Sequence, residues 1–589
     1  MFENLNPVWD LDSIFSGGSE SETLASHLKQ VAADLRDLEN HIPAGADKAQ
    51  WQHFFVLAQD VAVRMRQAGA FIGCLNAQNT KDSKAKLLSG NFYQLGAAYG
   101  SVMTGVEEKL LAMDDEVWAE LLETPALKPI AFGLNELRQL AREKMPAELE
   151  KLANDLAIDG YHGWSNLYDI ITGRMAIPWS KDGRTAVLSV GQFSNLFSDP
   201  DGAVRSEAGE KWESAWEKEE ELCASALNHL GGFRLNLYKH RGWEDIHKEP
   251  LEYNRMSGDT LDAMWGVIED NKEIFVQYLR RKKKLLGLEK MTWFDVTAPL
   301  GQVSKTYTFT EAANFVVTQL KPVSPKMAEF VTSAFNKRWI EAENRGNKRA
   351  GAFCTSLPYS KETRVFMTFV GTADNVTTLA HELGHAFHQH VMTDLPVMAQ
   401  RYAMNVAETA STFNEMVVAD AALRNASQEE RIALLAGKVD NSISFFMNIH
   451  ARFIFETNYY AERRRGPVSA DRLNELMVSA QKQAYCDALD DWHPRFWCSK
   501  LHFYITGVPF YNFPYTFGYL FSSGIYAMAK ESGKNFEERY ISLLRDTGSM
   551  RVEDLAARHL GVDLRKRDFW QQAVDMAMAD AREFLKLTE

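Results

Sequence analysis

Apolar residues recur every three to four positions along most of the chain. In residues 20–40, Leu24, Leu28, Val31 and Leu35 form one such stripe, the mark of an amphipathic helix. Similar patterns run to about residue 160, with glycine and proline rare inside them and no fixed-period repeat. A stretch at 172–203 breaks the rhythm with Pro178, Gly183 and the Ser-Asp-Pro-Asp-Gly run 198–202, which is turn chemistry. A boundary near residue 185 follows. Helical patterns then resume, with Trp212, Trp216, Leu227 and Leu230 among their apolar positions. Only 350–371 reads as strand. Two runs rich in aromatic and β-branched residues flank Pro358-Tyr359-Ser360-Lys361, as in a hairpin or small sheet. The pattern predicts a mainly α protein with one small sheet just before the helix 375–392.

That helix carries the clearest chemistry. Val376, Leu379, Leu383, Phe387 and Val391 make its apolar stripe, and Asp374 is the expected N-cap. At about 100° per residue, His381 and His385 project from the opposite side, about 6 Å apart along the axis. Both imidazoles can reach one ion. The run His381-Glu382-Leu383-Gly384-His385 is an HExxH zinc motif. Glu382 lies about 60° around the helix from His385, where it reaches a water on the metal rather than the metal itself. Zinc lowers the pKa of that water, and Glu382 takes the proton as the oxygen attacks a polarised carbonyl.

A catalytic zinc site needs a third protein ligand. His388 is about 10 Å along the axis from His381, too far for one ion to join all three on a straight helix. His388 and His390 are therefore expected to line a cleft or face solvent. The apolar pattern at 404–419 carries Glu408 and Glu415, seven residues apart on one face. Carboxylates on a buried helix are costly unless paired or metal-bound. Glu408 is the expected third ligand. Glu415 either orients a ligand histidine through its other ring nitrogen or is a surface carboxylate.

Composition narrows the class further. The chain has 589 residues, too many for one compact core, with 65 Lys+Arg, 79 Asp+Glu and a net charge of −14. That balance argues against a nucleic-acid partner. The basic runs at 280–284 and 463–465 read as solvated helix faces. No apolar run is long enough to span a membrane, and no secretory signal opens the chain. The five cysteines are scattered, without a CxxC pair. Reduced thiols in a cytoplasmic protein are the expectation.

The motif and its surroundings resemble a known family. His381-Glu382-Leu383-Gly384-His385, followed after residues 386–407 by Glu408-Thr409-Ala410-Ser411-Thr412-Phe413-Asn414-Glu415, is similar to the thimet oligopeptidase/neurolysin zinc endopeptidases. Trp9-Asp10-Leu11-Asp12-Ser13-Ile14-Phe15, Gly351-Ala352-Phe353-Cys354 and the segment from Pro509 to Tyr519 resemble the oligoendopeptidase F branch. The resemblance implies a neurolysin-like helical ellipsoid with a deep central channel and a small sheet beside the zinc helix. With the boundary at residue 185, an N-terminal helical domain, 1–185, precedes a catalytic zinc peptidase domain, 186–589. The resemblance also implies Zn²⁺ as cofactor, held by His381, His385 and Glu408, and short unstructured peptides as substrates, cut at internal bonds. A carboxypeptidase or dipeptidyl carboxypeptidase of the same mechanism is the alternative. It needs a cation for the substrate's C-terminal carboxylate, with Arg364, Arg401 and Arg495 as candidates. The oligomeric state is left open.

Residues 502–526 hold ten aromatics, mostly core by expectation. Buried tyrosine hydroxyls want partners, and a Tyr O–H or His N–H aimed at a developing oxyanion stabilises it. The family uses a Tyr and a His from this region. Tyr519 and His502 match them, while Tyr511 and Tyr515 are candidates for holding substrate backbone. The strand that starts near Gly351, Ala352 and Phe353 offers a second means of binding, by pairing its free edge with an extended peptide.

Overall fold

The structure is a computed structural model that describes every residue except Asp182, 302–304 and 533–535, and only the backbone of Ala147 and Ser532. Helices dominate and the sheets are small. Among the described residues no helix is long and apolar enough to cross a membrane. The chain forms two compact units, each built from three stretches. One comprises Met1–Lys144, Ser304–Ala421 and Met528–Val562; the other comprises Met145–Val303, Ala422–Ala527 and Asp563–Glu589.

Residue 185, where the turn-rich stretch suggested a boundary, lies inside the second unit. The stretch forms an antiparallel hairpin, β1 (Ile177–Lys181) with β2 (Arg184–Leu188), Ile177 opposite Leu188. Strand structure is therefore not confined to 350–371. Pro178 and the exposure of most hairpin side chains hid its period-two pattern.

The first unit holds the second sheet, of three strands: β3 (Ile340–Glu341), β4 (Phe353–Leu357) and β5 (Glu362–Phe366). The order is β3-β5-β4, with β3 parallel and β4 antiparallel to β5. Central β5 carries buried Val365 and Phe366, as a strand covered on both faces requires. The N-terminal segment secures it: Arg364 donates to the Asp10 carbonyl at 2.9 Å, and the Trp9 and Phe366 rings lie 5.7 Å apart.

The HExxH helix, Ala373–Val391, packs on this sheet. Val376, Leu379, Leu383 and Phe387 are buried, so the predicted stripe is the face that meets the core. The helix starts earlier than its apolar pattern. Thr372, not Asp374, is the N-cap, its hydroxyl accepting from Asn375 N at 3.2 Å. Asp374 sits in the first turn, where a carboxylate suits the helix dipole.

The basic run 280–284 is only partly solvated. Lys282 is fully buried, donating to Asp440 at 2.7 Å and to the Val296 carbonyl at 2.7 Å. A lysine on the inner face of a helix escapes a reading based on charge alone.

Candidate metal centre

His381 and His385 stand one turn apart, their Nε2 atoms 3.1 Å from each other. Glu408 Oε2 lies 3.4 Å from each Nε2. Donors held tetrahedrally at 2.0–2.1 Å from one ion stand about 3.3–3.4 Å apart. The three atoms thus fit one tetrahedral face, and these residues form the metal-capable cluster found among the described residues.

Glu408 reaches this position through a break in its helix. The apolar pattern at 404–419 predicts a continuous helix, but Met404–Ala407 and Ser411–Asn425 are separate. Thr409 secures the break, its hydroxyl donating to the Val406 carbonyl at 2.7 Å and its carbonyl accepting from Tyr540 Oη at 3.2 Å. Ser411 Oγ donates to Glu408 Oε2 at 2.7 Å. Glu415, on the second helix, contacts Nδ1 of His381. With Nδ1 engaged by the carboxylate, Nε2 is the nitrogen turned toward the cluster.

Two residues that sequence reasoning passed over make this approach possible. A Cβ on Gly384 would stand 2.4 Å from the Ala410 carbonyl oxygen and 2.5 Å from Ser411 Cα. Only glycine lets the helix and the Glu408 segment come this close. Asn414 Nδ2 then donates to the Ala380 carbonyl at 3.1 Å, tying the two helices together. A glycine inside a helical motif is the signal that could have revealed the contact.

Burial and neighbouring charges set the ionisation of the cluster. Burial pushes His381 down, but the Glu415 hydrogen bond and the charges of Glu415, Glu408 and Glu382 outweigh it and hold the ring up at about 9. Burial, against the charge of Glu408, takes His385 down to about 4. Glu382 is buried, and its Oε2 has no hydrogen-bond partner among the described residues. Burial, with the charges of Glu408 and Glu415 adding to it and that of His381 opposing, lifts Glu382 to about 7. A carboxyl group with this affinity can both accept and return a proton near neutrality.

His388 neither lines a cleft nor faces solvent. It is fully buried, with Nε2 bonded to Thr547 Oγ1 at 2.9 Å and its ring stacked on Tyr402. His390 stacks on Phe330 yet stays exposed, so the solvent-facing expectation holds for it, and only His388 belongs to packing behind the helix.

Strand β4 is an edge strand, and its Cys354 contacts Gln389 of the HExxH helix at 3.8 Å. Gly351, just before the strand, has φ +89°, a conformation that favours glycine. The Phe353 side chain stacks on Phe366, so its ring serves the core and only its backbone is available for pairing.

The remaining candidates lie in the second unit. His502, Tyr511 and Tyr515 form a row, with ring centroids 5.2 and 5.9 Å apart. Nδ1 of His502 is buried without a partner among the described residues, and burial with the charges of Arg452 and Lys500 takes the ring down to about 4. Tyr519 Oη meets Ser442 Oγ at 2.9 Å, and its ring stacks on Phe445 at 4.5 Å. The loop between His502 and the helix Phe513–Ser532 is tied at several points. Tyr161 Oη donates to the Thr506 carbonyl at 3.1 Å, and Glu456 accepts from Phe510 N at 3.1 Å. Phe510 sits at φ +51°, a conformation unusual for a bulky residue that these bonds help hold. No sequence pattern marks Tyr161 or Glu456, which lie far away in the chain.

The arginines proposed for terminal-carboxylate capture are engaged elsewhere in two of the three cases. Arg364 is buried and paired with Glu362 at 2.8 Å. Arg495 meets Glu213, Glu217 and Glu220.

Comparison with known proteins assigns this geometry to a family. The profile described as peptidase family M3 matches residues 195–576, well over half of the chain. The chain belongs to peptidase family M3. A second profile of this M3 peptidase, described as oligopeptidase F, covers residues 109–176. Similar relatives include the group B oligopeptidase PepB of Streptococcus agalactiae, 24% identical over 96% of this chain and 94% of its own. The oligopeptidase PepF of Bacillus subtilis is 23% identical over 95% of this chain and 83% of its own. Among solved structures, oligoendopeptidase-F from Enterococcus faecium aligns with a TM-score of 0.70 at 19% identity, covering 96% of this chain and 99% of its own. A Chlamydophila abortus protein described as a peptidase aligns at 0.83 and 20% identity over 99% of both chains. The protein is thus a metallopeptidase with the mainly α fold of the oligoendopeptidase F group.

Proposed function

We propose that this M3 peptidase is a zinc-dependent oligoendopeptidase that hydrolyses internal bonds of short, unstructured peptides. The observation that carries the reading is the face formed by His381 Nε2, His385 Nε2 and Glu408 Oε2, at separations of 3.1, 3.4 and 3.4 Å. Two imidazoles and one carboxylate are a donor set that suits catalytic zinc. Bound there, zinc would supply Lewis acidity, acidifying a water and polarising the peptide carbonyl.

The chain's own residues do the rest. Glu382 takes the proton of the attacking water and returns it to the leaving amine, and its raised proton affinity suits both steps. Glu415 fixes the orientation of His381 through Nδ1. Tyr519 and His502 donate to the oxyanion that develops on the former carbonyl. Tyr511, Tyr515 and the backbone of Gly351, Ala352 and Phe353 hold the peptide extended. All five cysteines are free, in keeping with work in the reducing cytoplasm.

Metal analysis together with product mapping tests this reading. The expected result is one zinc per chain and cuts inside quenched fluorescent peptides blocked at both ends. Release of C-terminal units alone from unblocked peptides, with no cleavage of blocked ones, would replace it with the carboxypeptidase reading.

A further inference from the structure

A cavity of about 200 Å³ lies wholly within the second unit. Flat aromatic rings, Trp212, Trp293, Phe294 and Phe496 among them, make one part of its wall, and polar side chains such as Ser444, Asn448 and Ser499 make another. Lys500 also lines it. The Lys500 ammonium stands 5.0 Å from the centroid of the Phe496 ring, and the Arg452 guanidinium stands 5.3 Å from the centroid of that same ring. Arg452 donates to the neutral side chains of Asn448 at 2.9 Å and Asn512 at 2.7 Å.

Neither cation has a carboxylate partner among the described residues. The chain carries an excess of acid, and several of its shielded cations use it: Arg205 pairs with Asp295, Arg241 with Glu150 and Lys282 with Asp440, whereas buried Lys272 meets His450. The remaining charged groups of the cavity are also engaged. Asp440 is held by Lys282 and Tyr278, and His493 by Glu213 and Trp212. Two neighbouring cations withdrawn from water without an anion are costly. Burial, and then the charge of Arg452, brings the Lys500 ammonium down to about 7.

We propose that this cavity binds a small organic carboxylate bearing a flat apolar group. Lys500 holds the carboxylate, the charge of Arg452 strengthens the field, and the apolar group stacks among Trp212, Trp293 and Phe294. The volume is below the 300–1,000 Å³ of drug-sized pockets and suits a group the size of one aromatic amino acid. A free acid and the C-terminal residue of a peptide share this chemistry. The proposal does not depend on the peptidase reading.

Calorimetric titration of the whole metal-loaded protein with 3-phenylpropionate and its uncharged amide tests it. The acid is expected to bind saturably, at least tenfold more tightly than the amide, and Lys500→Met to abolish the difference while Lys500→Arg keeps it. Facing Arg452, His502, Tyr485, His493 and the paired Asp440, Lys500 is largely neutral at pH 8 and gains a proton when the anion binds. Titrations at pH 8 in two buffers of different ionisation heat should show proton uptake by the wild type and none by Lys500→Met. Competition by N-acetyl-alanyl-phenylalanine assigns the site to peptide ends, and failure to compete assigns it to free acids. Equal binding of acid and amide, equal binding of the acid to wild type and Lys500→Met, or no saturable binding would each overturn the proposal.

Discussion

Glu408 and Glu415 touch different nitrogens of one histidine, and that difference separates their roles. Glu408 faces Nε2, whereas Glu415 engages Nδ1. Removing a partner that orients a metal ligand typically costs 10–100-fold in metal affinity. Glu415→Ala is therefore expected to weaken zinc binding about 10–100-fold, read by competition with a chromogenic chelator, while Glu408→Ala costs far more. Equal losses would contradict the division. The residue scale also carries a stability prediction. Burial, despite Arg234 and the Phe510 N–H, raises Glu456 to about 7 in the folded protein, against about 4.3 when unfolded. Folding therefore retains a proton that the unfolded chain loses between these values. The stabilisation is complete below about pH 4.3 and is lost as pH rises through 7, by up to about 4 kcal/mol. Glu456→Gln should melt higher than wild type at pH 8, with the gap closing near pH 5. A pH-independent gap would reject the assignment.

At the scale of elements, the metal centre depends on how closely one helix approaches the break before another. Alanine is the better helix former by about 1 kcal/mol, yet Gly384→Ala would drive a methyl group into Ala410 and Ser411. The expected result is loss of zinc affinity by at least tenfold and a fall in activity of about a hundredfold, since a shift of about 1 Å can cost that much. Chelator competition and peptide assays on the variant would check it. Wild-type zinc affinity in the variant would show that the contact is dispensable. The elements were legible in the sequence to different degrees. The stripe Val376–Phe387 and the i, i+4 histidines follow from helical periodicity alone. The broken helix at Glu408 does not, because the bonds from Thr409 to Val406 and Tyr540 are made in three dimensions. The Thr372 cap lay outside the apolar pattern, and the burial of Lys282 and His388 depended on partners at Asp440 and Thr547 that no local window contains.

For the whole molecule, each unit joins stretches hundreds of residues apart, so neither can be recognised from a linear boundary. Residues 1–144 belong with 304–421 and 528–562. A fragment ending at residue 185 would lack about half of the first unit and most of the second, and its exposed apolar faces would have nothing to cover them. It is expected to show no cooperative thermal transition by circular dichroism, whereas the full chain melts cooperatively. A cooperative transition in the fragment would make the N-terminal stretch an independent domain. Family membership was readable from short motifs because the HExxH run, the Glu408–Glu415 run and the aromatic segment around Tyr515 and Tyr519 are each local in the chain. The cavity at Lys500 was not, since its walls come from positions as far apart as Trp212 and Phe496.

The central claim is that Glu382 moves the proton at a site formed by His381, His385 and Glu408. Its most direct test compares wild type with Glu382→Gln on an internally quenched peptide, at equal measured zinc content. Glu382→Gln removes the proton acceptor and leaves all three metal donors in place. The account predicts retained zinc and a fall in rate of about 10²–10⁴-fold. Equal activity of the two zinc-loaded proteins would contradict it.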